Sequence, residues 1–399
     1  MGAEWRVVEE FDLSSLTKCT YKTEGTTRRL AGSEVPAAED LLMCGFLDEV
    51  NDSYDRVTCK SGKPLKVMSN REFYPVSTTD DPVIERFAVE DKGNVFATDA
   101  ILAHLMSAAR SVYPWDIVVQ KLPDGKIFFD KRDDSQFDFL TVSETSNDPP
   151  KKDDINDDEA QPGKENINTP ERLSLEATTI NQNFSQQILK PKSSSTRMNM
   201  AHPNPFFDDE DSEGMEPSST AFRYRKFDMD SIQLVCRTEL HGVVRKRGTE
   251  QYCTTFALNE WDSKQSGGID WRAKIDSQRG AVLATELKNN SCKLAKWTAL
   301  SLLSGAEVMK LGYVSRVNKG SAFEHTILGC QSVKPSEFAK QLFLDENNLF
   351  GVIKYLVEIF QKQPPGTFSI VRDPNKAVCR VYSVPAGTFD VESDDDDEQ

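Results

Sequence analysis

Glu286 and Lys288 close the run "GAVLATELKNN" at residues 280–290, an apolar, β-prone stretch with an acid and a base two positions apart. On a strand, residues at that spacing point to the same face. A metal-dependent nuclease places such a pair so that the carboxylate holds Mg²⁺ and the lysine orients the attacking water. The same three letters also describe an ordinary salt bridge at the end of a strand. Which reading holds depends on the elements around them.

Those elements alternate. "EWRVVEEFDL" reads as a strand, followed by loop-rich sequence as far as "TTDDPV". A helix capped by Thr98 then places Ile101, Leu102, Leu105, Met106, Ala109 and Val112 on one stripe at 3.6-residue spacing. "DIVVQKL" and "KIFFDKR" flank the turn "PDG" and predict a β-hairpin over residues 115–132. A second helix starts with Thr169 as cap and Pro170 as first residue. Its apolar face carries Leu173, Ala177, Ile180, Phe184 and Ile188; its other face carries Thr178, Thr179, Asn181, Gln182 and Asn183. Strands are predicted at "AFRYRKF", "SIQLVCRTEL", "GAVLATELKNN", "VMKLGYVSRV" and "HTILGCQSV". A helix over "SCKLAKWTALSLLSG" is capped by Ser291 and closed by Gly305. Another helix, "NNLFGVIKYLVEIFQK", and a closing hairpin, "GTFSIVRDPNKAVCRVYSV", complete the pattern. The expected fold class is α/β (α+β), a mixed β-sheet core with flanking helices and acidic loop insertions.

With 399 residues and 38% hydrophobic content the chain can bury a substantial core. Its net charge of −16 is concentrated: residues 146–170 carry −4, residues 202–217 carry −6 and residues 390–399 carry −7, so the rest is about +1. No basic stripe of the kind that grips long duplexes is evident, and any nucleic-acid site should be small and local. The acidic segments 146–168 and 202–217 are expected to be mobile insertions acting as a lid over a groove, and 390–399 a disordered tail. Eight cysteines without a C-x-x-C pair and four dispersed histidines imply reduced thiols and no zinc motif. The apolar runs are too short to cross a bilayer and the N-terminus is acidic, which implies no membrane association and a cytoplasmic location.

The runs "TTDDPVI", "GNVFATDAIL", "RSVYPWDIVVQ", "FFDKRDD", "INQNFSQQ", "LNEWDS", "SQRGAVLATELKNNS", "LGYVSR" and "DPNK" followed by "RVYS" extend over nearly the whole chain. In them the chain resembles the d-subunit family of eukaryotic translation initiation factor three. The resemblance implies a single cap-binding domain over residues 1–389, because that family carries a longer N-terminal extension. That domain in turn resembles the decapping exonuclease (DXO) family, in which an E-x-D strand and a following E-x-K strand hold the metal. If "TELHG" is the first of these, Glu239 is present, but His241 replaces the aspartate, and a neutral imidazole is a poor partner for Mg²⁺. "NEWD" offers Glu260 and Asp262 instead, in a setting that reads more as a loop or helix start than a strand. The resemblance therefore implies a vestigial nuclease site at Glu239, His241, Glu286 and Lys288, inactive, with no metal and no cofactor.

The function implied by the resemblance is binding of the 7-methylguanosine cap of mRNA, with recruitment of the mRNA to the 40S ribosomal subunit alongside other subunits of the factor. A cationic aromatic ring wants an aromatic face, a carboxylate for the guanine N–H groups and polar groups for ribose and phosphates. The positions matching the family's cap groove are Asp99, Val112 and Tyr113 on the first helix and Thr178, Asn181 and Gln182 on the second. Gln182 stands where relatives often have histidine. Core roles for Val112 and Tyr113, and a capping role for Asp99, are equally open. Ser393, followed by four aspartates, fits an acidophilic, casein-type kinase, whose phosphate would add charge to the tail. A non-cap-binding interaction scaffold within the factor is the alternative function.

Overall fold

The computed structural model describes residues 4–22, 35–133, 135–144, 166–193, 195–208, 214–265 and 267–389. In chain order its first half comprises β1 (Arg6–Asp12), α1 (Leu13–Leu16), β2 (Ala38–Asp48), β3 (Lys63–Pro64), β4 (Arg71–Glu72), α2 (Pro82–Val89), β5 (Val95–Thr98), α3 (Asp99–Met106), β6 (Asp116–Lys121), β7 (Ile127–Asp130) and α4 (Pro170–Gln187). The second half comprises β8 (Arg197–Asn199), β9 (Glu216–Pro217), β10 (Ala221–Met229), β11 (Ile232–Leu240), β12 (Gly242–Lys246), β13 (Thr249–Glu260), α5 (Trp271–Asn289), α6 (Ser291–Ser304), β14 (Val308–Arg316), β15 (His325–Val333), α7 (Pro335–Gln341), α8 (Glu346–Gln361), β16 (Gly366–Arg372) and β17 (Val378–Val384).

Among the described residues the strands form a ten-stranded mixed sheet, β1-β17-β16-β6-β7-β5-β11-β10-β2-β8, a five-stranded sheet, β12-β13-β14-β15-β3, and the pair β4-β9. His241 alone separates β11 from β12, so the chain passes from the first sheet into the second without a loop. The apolar faces of α3, α6 and α8 cover the large sheet through Leu102, Leu105, Leu303, Leu356 and Phe360. Helices α5 and α6 cover the small sheet through Trp271, Ile275, Leu294 and Trp297. Helix α6 thus belongs to both cores, and its Trp297 stacks on Phe256 of β13 at 4.9 Å between ring centroids. On its other face the small sheet receives α4, whose Phe184 lies so close to β14 that a Cβ at Gly312 would stand 2.3 Å from the ring. Only glycine fits there.

Several sequence expectations hold. The hairpin over 115–132, the Thr169–Pro170 start of α4, the left-handed Gly305 (φ 66°) after α6 and the strands β11, β14 and β15 are all present. Others do not. "GAVLATELKNN" lies in α5, capped by Asp270 and broken at Gln278 (φ −135°, ψ 41°), not in a strand. Val282, Glu286 and Asn289 recur at helical spacing on its buried side, and that periodicity overrides the β-prone letters. The first site helix ends at Met106, followed by a 3-10 turn at Ala108–Arg110. Val112 and Tyr113 therefore sit in the loop beyond it, where Pro114 disfavours helical backbone in the preceding residue. "NEWD" begins in strand, since β13 runs to Glu260. The expectation of a mobile insertion over 202–217 is not decided by its described ends, where His202 bridges Cys44, Phe206 packs edge-on against Phe222 at 4.9 Å, and β9 pairs with β4. Residues 209–213, most of the 146–168 insertion and the 390–399 tail with Ser393 lie outside the described residues.

Candidate functional site

The first turns of helix α6 carry Cys292, Lys293, Lys296 and Trp297, three- and four-residue spacings that put both lysines and the indole on one side. Facing them across a groove of about 790 Å³ are Tyr113 and Trp115 from the loop after α3, Phe137 and Phe139 from the segment after β7, and Ser174 from α4. Lys293 is only 3% exposed, with its ammonium 5.6 Å from the Trp297 ring; Lys296 lies 5.0 Å from the Phe137 ring. Among the described residues, neither ammonium has a carboxylate within ion-pair distance. Burial lowers the pKa of both. For Lys293 the charges of Glu286 and Glu144 oppose that shift; for Lys296 the main opposing influence is Cys292.

Three carboxylates approach the same place, each committed to a backbone or side-chain donor. Glu144 accepts the N–H groups of Cys292 at 2.9 Å and Lys293 at 3.0 Å, and so caps α6 from a distant part of the chain. Thr141 donates its hydroxyl to the same carboxylate. The sequence had assigned that cap to Ser291, but Asn290 occupies the cap position and its side chain makes no capping bond. Glu286 accepts from Asn290 Nδ2 at 2.9 Å, and burial pushes its carboxyl up to about 7. Glu260 accepts the Trp271 N–H at 3.0 Å and the Ser315 hydroxyl at 2.9 Å. Among the described residues no group of three or more His, Cys, Asp or Glu converges as a metal site.

The residues singled out from sequence separate into distinct places. Val112 is exposed and Tyr113 half-buried, and both line the groove. Asp99 is buried and does not line the groove, accepting the Glu239 N–H at 2.9 Å; burial and then the Glu239 charge raise its carboxyl, and burial raises Glu239 as well. His241 Nδ1 accepts the Thr255 N–H at 3.0 Å, and burial pushes the imidazole down to about 4, so it is neutral at physiological pH. Glu286 and Lys288 do not share a face: on helix α5 the acid is buried and the lysine exposed.

The polar side of α4 is taken up by backbone rather than open. Thr178 Oγ1 accepts from Leu140 N–H, Asn181 Oδ1 from Ala257, Asn183 Oδ1 from Met68, Gln186 Oε1 from Ser219 and Gln187 Oε1 from Lys66, at 2.7–2.9 Å. Gln182 is half-buried beside them and does not line the groove. Sequence reasoning missed Glu144, Lys293, Lys296, Trp115 and Trp297. Two lysines three apart inside an otherwise apolar helix were the available signal for part of that set.

A family model described as eukaryotic translation initiation factor 3 subunit 7 (eIF-3) matches residues 1–383. The D subunit of eukaryotic translation initiation factor 3 from Mus musculus is 48% identical over 394 residues, 98% of this chain and 67% of the relative. The Nematostella vectensis protein of the same name is 50% identical over 98% of this chain and 64% of its own length. The chain thus spans about two thirds of the relatives it matches. Among solved structures, Scheffersomyces stipitis Rai1 in complex with (3'-NADP)+ and calcium ion superposes with a TM-score of 0.56 at 11% identity, covering 96% of this chain and 94% of that one. Candida albicans Rai1 in complex with pU5-Mn2+ superposes with a TM-score of 0.54 at 12% identity and the same coverages. These likenesses establish the fold. Among the described residues no helix is long and apolar enough to cross a membrane.

Proposed function

Because this chain belongs to the eukaryotic translation initiation factor 3 subunit 7 (eIF-3) family, we propose that it acts within an initiation factor complex by binding the 7-methylguanosine cap of mRNA. The mRNA is thereby recruited to the 40S subunit in the cytoplasm. The supporting observation is the groove itself: aromatic walls from Tyr113, Trp115 and Phe139, with two lysines on its floor that lack a carboxylate partner among the described residues. A methylated guanine is a cation that stacks on aromatic faces, and its phosphates are anions that seek ammonium groups. Ligand contact falls to Val112 and Tyr113. Asp99, Thr178 and Asn181 act behind them by holding backbone, and Gln182 takes no direct part. Titration calorimetry with a 7-methylated cap analogue against unmethylated GTP tests this: the methylated ligand is expected to bind more tightly, and equal or absent binding would count against it.

Cleavage is not part of this reading. Glu144, Glu260 and Glu286 are each engaged by structural donors, His241 is neutral, and Lys288 faces away from Glu286. Capped RNA incubated with the protein and Mn²⁺ should stay intact.

One observation favours the scaffold alternative. The α4 side chains matched to cap contacts are spent on backbone N–H groups of neighbouring segments, as a rigid structural platform requires. Absence of cap binding together with retained assembly into the factor would select that reading.

A further inference from the structure

We propose that the first turn of α6 is a phosphate seat, occupied in the free protein by the chain's own Glu144 and opened when a nucleotide polyphosphate displaces it. The proposal rests on the groove reading above for the identity of its ligand, and on three observations for the seat.

First, the amides of Cys292 and Lys293, at the start of a 14-residue helix, are held by one carboxylate at 2.9 and 3.0 Å. Two oxygens on two consecutive N–H groups is also how a helix N-terminus receives a phosphate. Second, Lys293 is 3% exposed, lines the groove, and has no hydrogen-bond or ion-pair partner for its ammonium among the described residues. An ammonium buried there, with the charges of Glu286 and Glu144 near it but neither carboxylate within ion-pair distance, favours an incoming anion. Lys296, one turn on, adds a second charge on the same wall. Third, the carboxylate in the seat is a weak occupant. It carries at most one charge against the several of a polyphosphate, and burial raises its pKa towards the neutral form. Ser143, beside it, holds φ at 54°, a left-handed conformation that L-residues adopt reluctantly. Aromatic rings on the opposite wall leave the base of the same nucleotide a place to stack.

Glu144 and the lysines therefore act with opposite signs. Glu144→Gln keeps an oxygen for the two amides and removes the competing charge. Lys296→Met keeps the length of the side chain and removes one cation. Calorimetry with 7-methylguanosine 5′-triphosphate is expected to show about tenfold tighter binding for Glu144→Gln and about tenfold weaker binding for Lys296→Met, the size of one charged hydrogen bond. Affinity for the 7-methylguanosine nucleoside should be unchanged in both variants. A purely structural role predicts that both substitutions weaken binding or that neither does, and either result overturns the seat. Should Lys296→Met fail to fold, the Glu144→Gln arm decides alone. If the wild type binds the nucleoside as tightly as the triphosphate, the seat is wrong and the cap reading stands. If it binds neither, the cap reading is wrong and inorganic tripolyphosphate decides the seat: binding weakened by Lys296→Met keeps it, and no binding overturns it.

Discussion

Glu286 is a carboxyl placed 2% exposed on the inner side of α5, with Asn290 donating to it and Glu260 and Glu144 nearby. Burial raises its pKa to about 7, above the ordinary glutamate value, so the folded state holds its proton more firmly than the unfolded chain. The sign follows. The stability contributed by this group is full below the unfolded pKa of about 4.3 and is lost as pH rises through about 7. Wild type should therefore lose on the order of 1–3 kcal/mol between pH 5 and 8 relative to Glu286→Gln, in which the amide oxygen still accepts from Asn290. Urea denaturation of both proteins across that range measures it; parallel pH profiles would remove Glu286 as the cause. His241 titrates well below neutrality, about 4, with its Nδ1 engaged by the Thr255 N–H. Replacing it by aspartate should not produce a Mn²⁺ site, because Glu239 and Glu286 do not converge with it on one point; calorimetry with Mn²⁺ is the check.

Helix α4 shows how an element with a mean composition unsuited to burial can still be fixed in place. One side is anchored by Leu173, Ala177, Ile180 and Phe184, all at most 2% exposed. The other accepts five backbone N–H groups from four separate segments, and Glu176 holds both Arg316 and His325 from the small sheet. Removing one such acceptor leaves a donor without a partner. Asn181→Leu should cost about 1–3 kcal/mol by stranding the Ala257 N–H inside β13, and its effect on cap binding should be no larger than its effect on stability. Chemical denaturation alongside calorimetry separates the two. A variant that is as stable as wild type but fails to bind ligand would restore Asn181 to a direct contact role.

At the scale of the molecule, α6 is the part common to both cores. Its Leu303 packs under the large sheet and its Trp297 under the small one, stacked on Phe256 with 9° between the ring planes. We expect the two sheets to unfold as one unit. Trp297→Ala should lower stability by about 3–5 kcal/mol, a cavity cost felt by the whole protein. Circular dichroism and tryptophan fluorescence should give coincident transitions in the wild type; two separated transitions would mean that the sheets are independent. Binding of capped RNA to the lysine floor should weaken as ionic strength rises, with the shallow slope of a few charge contacts rather than the steep one of a long basic surface.

What the sequence determined was periodicity and punctuation. The 115–132 hairpin, the Thr169–Pro170 entry to α4, the Gly305 exit from α6, the apolar stripes of α3 and α4 and the helix α8 were all legible, because local backbone preference and amphipathic spacing are written in neighbouring residues. The family resemblance was legible too, and with it the mixed-sheet fold. Local letters misled at "GAVLATELKNN", where a buried helix face outweighed β-prone composition, and at Val112, where Pro114 ended the helical stripe. Tertiary structure alone decided which polar groups were free. The side chains of Thr178 and Asn181 are spent on backbone from segments 38 and 76 residues away, while Glu144 crosses 148 residues to cap α6 beside Lys293. A hydrogen bond is a contact in space, and no spacing along the chain encodes which distant amide a carboxylate will meet.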